Sequence, residues 1–123
     1  MENEMIKRFA IDVLGCGCDD SVFNSIVQSR SFRLPSGVTL SSRILIGGKL
    51  LIYIADSNSV SPADLKAVVR DGLEERNSAG YNRLRVVIKT DTPEKDNPRY
   101  LKIFKELPVK DDKTHLHVLS RGE

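Results

Sequence analysis

Two apolar runs flank a pair of glycines, Arg43-Ile44-Leu45-Ile46, Gly47-Gly48 and Lys49-Leu50-Leu51-Ile52-Tyr53-Ile54, and they restrict this chain more than any other stretch of it. Glycines at both loop positions supply the positive φ angles of the mirror-image turns that suit the twist of paired strands. A β-hairpin is therefore expected over 43–54, and the remaining elements are read around it.

Downstream of the hairpin, Ser61-Pro62-Ala63-Asp64 combines a capping hydroxyl, proline at the first helical position and an acid in the first turn. Leu65, Val68, Val69 and Leu73 then form the apolar stripe of a helix that Gly80 ends. Leu84 to Lys89 is rich in β-branched residues and predicts a mostly buried strand. Thr90 to Asn97 reads as a polar loop, Pro98 as the opening of a short helix carrying Tyr100, Leu101, Phe104 and Leu107, and Pro108 as its stop. His115 to Leu119 alternates as a last strand, followed by a short tail.

Upstream, Phe9, Ile11 and Val13 alternate within Met5–Leu14, which predicts a first strand. Gly15-Cys16-Gly17-Cys18 breaks it. Asp19, Asp20 or Ser21 then caps a helix carrying Val22, Phe23, Ile26 and Val27 and running to about Ser29. Ser31 to Ser42, with Pro35 and Gly37, reads as a connection with a short extended piece at Val38 to Leu40.

The resulting order is strand, helix, two strands, helix, strand, helix, strand. It predicts one α+β domain over 1–123, a ferredoxin-like split βαβ sheet extended by a C-terminal helix and strand. A thioredoxin-like sheet is the alternative, since Ile44 to Leu73 also suits the second half of that fold. The short connection between the first helix and the hairpin leaves no room for the crossover which that fold requires.

Composition sets the outer limits. With 123 residues, 40% hydrophobic and 29% charged, the chain is long enough to bury a core without a metal or disulfide to support it. A net charge of +2 is close to balance and points to no polyanionic partner. The longest apolar run, Leu50 to Ala55, is far too short to cross a bilayer, and Glu2, Glu4, Lys7, Arg8 and Asp12 interrupt any signal-peptide pattern. These features predict a cytoplasmic protein, a monomer or homodimer, with its cysteines reduced.

The chemistry-bearing residues are few. Cys16 and Cys18 share a turn at an expected strand-to-helix junction, where orphan backbone N–H groups favour the thiolate that binds metals. Asp19 and Asp20 oppose further negative charge and suit a cation. His115 and His117, spaced i, i+2 on a strand, put both rings on one face roughly 7 Å apart. If that strand lay beside the first, Cys16, Cys18, His115 and His117 would make a two-sulfur, two-nitrogen set of the kind that holds zinc. The bland reading beside this is a glycine-rich turn with half-buried cysteines and two histidines facing water.

The stretch from the first strand through the cysteine loop, helix, hairpin and second helix ending at Gly80-Tyr81 resembles small heavy-metal-associated domains of the copper-chaperone type. The resemblance implies a soft-metal carrier, for zinc or copper, using Cys16 and Cys18. The chain departs from that family in reading Gly-Cys-Gly-Cys where the family has a methionine and a Cys-x-x-Cys pair, and in continuing past the domain; the closer spacing constrains the S–metal–S angle. The overall pattern is also similar to small uncharacterised proteins of anaerobic archaea.

A thiol redox role ranks below metal binding, because a disulfide across one intervening residue closes a small, strained ring. A protein-interaction module with incidental cysteines, using a hairpin edge, is the other alternative. Arg83 and Arg85 on one strand face, with Arg99, Lys102 and Lys105 along a helix, are read as a solvated face. Four phenylalanines, three tyrosines and no tryptophan leave little to stack on bases, which argues against nucleic acid. No catalytic residue is nominated, so the expectation is a small non-catalytic binding protein.

Overall fold

A computed structural model describes residues 3–13, 24–108 and 110–121. Helix α1, Asn3–Arg8, continues as a π-helical turn over Phe9–Val13. Strands β1 (Ile26–Arg33), β2 (Thr39–Ile46) and β3 (Leu50–Asp56) follow. A 3-10 turn at Pro62–Asp64 leads into α2, Leu65–Ala79, and then come β4 (Arg83–Thr90), α3 (Pro93–Glu106) and β5 (Thr114–Ser120). The five strands form one sheet in the order β1-β2-β3-β4-β5. β1, β2 and β3 pair antiparallel, while β3, β4 and β5 run parallel with α2 and α3 as the crossovers. The protein is thus a mixed α+β fold with a five-stranded sheet and three helices.

Local chemistry explains the middle of the chain. Gly47 and Gly48 take φ of 61° and 64°, and the Lys49 N–H closes the turn on the Ile46 carbonyl at 3.1 Å. Ser61 and Asp64 form a reciprocal capping box: the Ser61 hydroxyl accepts from the Asp64 N–H, and the Asp64 carboxylate accepts from the Ser61 N–H at 3.1 Å. Gly80, at φ 77°, ends α2, with its own N–H donated to the Arg76 carbonyl.

The sequence expectations fail at the start. Met5 to Val13 is helical, because Ile6, Phe9 and Ala10 are the residues buried there, at helical spacing, while Met5 and Ile11 are exposed. Within the expected first helix, Ile26 and Val27 belong instead to β1, which extends to Arg33 and pairs with β2 from Ile26↔Ile46 to Arg33↔Thr39; the partner strand overrides local spacing. Both correct the reading of a first strand and first helix. The ferredoxin-like arrangement is accordingly not confirmed. Helix α3 also starts earlier than expected, at Pro93, and passes through Pro98, whose exposed position spares the buried side of the helix the break.

Each face of the sheet carries its own core. Leu51, Tyr53, Leu84, Val86 and Ile88 pack under α2 and α3 with Leu65, Val68 and Phe104. Ile44, Ile46, Ile52, Ile54 and Val87 pack on the other face under Ile6, Phe9 and Ala10. β4 lies between the two layers and is buried from Leu84 to Ile88, as a strand covered on both sides must be. Among the described residues, no helix is long and apolar enough to cross a membrane.

Candidate functional site

The alternation of β4 sends Leu84, Val86 and Ile88 toward α2 and α3, and Arg85 and Val87 toward the α1 side. On the neighbouring strand, Leu116 and Val118 pack with the helix-pair core, which leaves His115, His117 and Leu119 on the α1 side as well. The parallel register sets Arg85 opposite His115 and Val87 opposite His117. Three nitrogen-bearing side chains therefore meet on one face.

Arg85 is only 7% exposed. Its Nη1 lies 2.9 Å from Nε2 of His117. A guanidinium can only donate, so Nε2 accepts and the imidazole proton sits on Nδ1. The Nε of Arg85 is buried and has no hydrogen-bond partner. Among the described residues no carboxylate forms an ion pair with Arg85 or with Arg83, the exposed arginine two positions before it.

The electrostatics follow from that arrangement. Burial pushes the Arg85 pKa down, and the charge of Arg83 adds to the effect. His117 is pushed down to about 4, first by burial, then by Arg85 and His115. Burial, Arg85 and Arg83 also lower His115, against the pull of Asp112 and Asp111. Both imidazoles are neutral at pH 7. Each then keeps one N–H to donate, and the face presents hydrogen-bond donors around an uncompensated positive charge. Among the described residues it holds no carboxylate, thiol or hydroxyl positioned as nucleophile or base.

Of the residues expected to bind metal, His115 and His117 do share one face. Cys16 and Cys18 lie outside the described residues. Among the described residues no group of three or more His, Cys, Asp or Glu side chains is assembled to hold a metal ion. Arg85 is the residue the sequence reading missed, having been placed on a solvated face. The signal was present: an arginine inside the run Leu84 to Ile88 has to be buried wherever that strand is covered on both faces.

A second polar cluster lies on the opposite side. Beside α2, a cleft of about 520 Å³ is lined by Phe32, Leu34, Pro35, Tyr53, Glu75 and Ser78. Arg43 Nε donates to Glu75 Oε2 at 2.8 Å and its Nη2 bonds the same oxygen, while the Tyr53 hydroxyl donates to Oε1 at 2.5 Å. Burial alone would raise the Glu75 pKa, but the hydrogen bonds from Arg43 and Tyr53 and the charge of Arg43 outweigh it and hold the carboxyl below its ordinary value. Burial and the hydrogen bond to Glu75 raise the Tyr53 phenol. These groups satisfy one another, whereas Arg85 has no such partner among the described residues. No known protein family, curated protein or solved structure matches this chain.

Proposed function

We propose that this chain is a non-catalytic binding protein whose working surface is the α1-side face of β4 and β5, at Arg85, His115 and His117. One observation carries the reading: a buried guanidinium with an unpartnered Nε and, among the described residues, no carboxylate paired to it. An unsatisfied buried donor costs about 1–3 kcal/mol, and such groups in folded proteins call for an explanation. A ligand that completes the site supplies one.

The soft-metal reading, zinc or copper held by His115 and His117 with Cys16 and Cys18, is supported by the two neutral imidazoles side by side. Two features weigh against it. Arg85 occupies the Nε2 lone pair of His117, and the neighbouring arginines repel a cation.

The test is a two-dimensional NMR spectrum of the histidine ring nitrogens and arginine Nε–H groups, recorded under reducing conditions. It is repeated with zinc, copper(I) and inorganic phosphate. The expected result is a saturable shift of the His115, His117 or Arg85 signals with one class of ligand. Unmoved signals with all three would remove this face as the working surface.

A further inference from the structure

Resting on the reading of the β4–β5 face as the working surface, we propose that its ligand is a compact oxyanion of the phosphate type, bound by the Nε–H of Arg85 with Arg83, His115 and His117 around it.

The donor inventory leads there. Arg85 offers an Nε–H with nothing to bond. His117, whose Nε2 accepts from Arg85, keeps its proton on Nδ1 as a further donor. His115 stands opposite Arg85 across the parallel register and is partly exposed. Arg83 follows the same face of β4, roughly 7 Å along the strand, and reaches solvent. Apart from the one lone pair that a neutral His115 keeps, the described side chains around Arg85 are donors or cations, and the Nε2 lone pair of His117 is already taken by Arg85. A metal cation finds no free ligand atom on His117 and meets two positive charges. An oxyanion finds charge and hydrogen bonds together, the combination in which arginine is strongest.

Burial narrows the class. With Arg85 7% exposed and its Nε covered, only a small anionic group that displaces the covering side chains would reach it, and an extended polymer lying across the surface would not. A nucleic-acid backbone would depend on exposed Arg83 and leave the Nε–H of Arg85 unused.

Among the described residues, the site differs from the clusters of half-buried Arg43 and buried Arg76 in what it lacks. Arg43 has Glu75 and Arg76 has Asp111, so neither has an anion to recruit. The phosphate fills the role at Arg85 that those carboxylates fill elsewhere.

The full chain is titrated at pH 7.5 and low salt with inorganic phosphate, with acetate, with zinc and with a single-stranded oligonucleotide. The Arg85 Nε–H and histidine ring signals are followed beside the thermal midpoint. The expected result is saturable phosphate binding that moves the Arg85 Nε–H, raises the midpoint and is weakened at least tenfold in Arg85→Gln, with acetate weaker than phosphate. The wild-type NMR arm stands even if Arg85→Gln does not fold, and His117→Gln, weakened severalfold, is the second variant. Zinc moving the imidazoles without any phosphate response would overturn the oxyanion and leave the working surface intact. Oligonucleotide binding that depends on Arg83 while the Arg85 Nε–H stays still would overturn it as well. No response to any probe would overturn both the oxyanion and the surface.

Discussion

Arg76 and Arg85 are equally buried, each 7% exposed, and they differ in one respect. Arg76, on α2, meets Asp111 in a two-pronged contact of 2.9 and 2.6 Å, with the Thr114 hydroxyl donating to the same carboxylate. That contact ties a helix to the loop entering β5. Arg85 meets a neutral imidazole and nothing negative among the described residues. A buried charge is tolerated in a fold when it is neutralised or hydrogen-bonded. The first arginine therefore has a structural account, and the second has none among the described residues.

The contrast predicts opposite outcomes when each cluster is altered. Asp111→Asn keeps the shape of the loop but removes the charge facing Arg76, and urea unfolding should show a loss of about 2 kcal/mol; the range for broken buried pairs is higher, but the Asp111 side chain is partly solvated. In the cleft, Tyr53→Phe removes a hydrogen bond to a charged acceptor and should cost about 1.5 kcal/mol by the same measurement. Arg85→Leu should cost nothing, or stabilise by up to about 1 kcal/mol, because the gain from removing an uncompensated charge exceeds the loss of the bond to His117. A loss from Arg85→Leu as large as that from Asp111→Asn would show that the two arginines are both structural.

The same contrast shows what could be read beforehand. Gly47-Gly48, the Ser61 to Asp64 cap and Gly80 act through bonds a few residues long, so their elements were legible and were found where expected. The opening was not. Met5 to Val13 fits both alternation and helical spacing, and the choice was made by the apolar face of Ile44, Ile46 and Ile52, which Ile6, Phe9 and Ala10 cover. β1 depends in the same way on a partner strand far along the chain. For the site, the i, i+2 spacing of His115 and His117 did place both rings on one face. Arg85 was misread because the run around it implies burial only when the strand is covered on both faces, and the layer above β4 was not foreseen. Arg83 and Arg85 look alike in sequence, yet one is exposed and the other covered.

The smallest predicted effect concerns pH. The folded pKa of His117 is depressed to about 4 from an ordinary 6.5 by burial, Arg85 and His115, while Arg83, Asp111 and Asp112 act on the neighbouring His115. Between those two values the unfolded chain holds a proton that the folded chain does not. Stability therefore rises with pH across this window and falls as pH is lowered from about 6.5 toward 4. Partial exposure screens the effect to no more than about 1 kcal/mol. Asp111, held below the ordinary carboxylate range mainly by its hydrogen bond to Arg76, adds a slope of the same sign only at the acid end, where the unfolded Asp111 begins to take up a proton, and that part persists in His117→Gln. Urea midpoints at pH 4.5, 5.5 and 7 should slope in the wild type and flatten in His117→Gln. A phosphate bound beside His117 raises its pKa, so adding phosphate should flatten the wild-type profile too. An unchanged slope in His117→Gln would assign the titration elsewhere and break the contrast between the two arginine clusters at its weaker end.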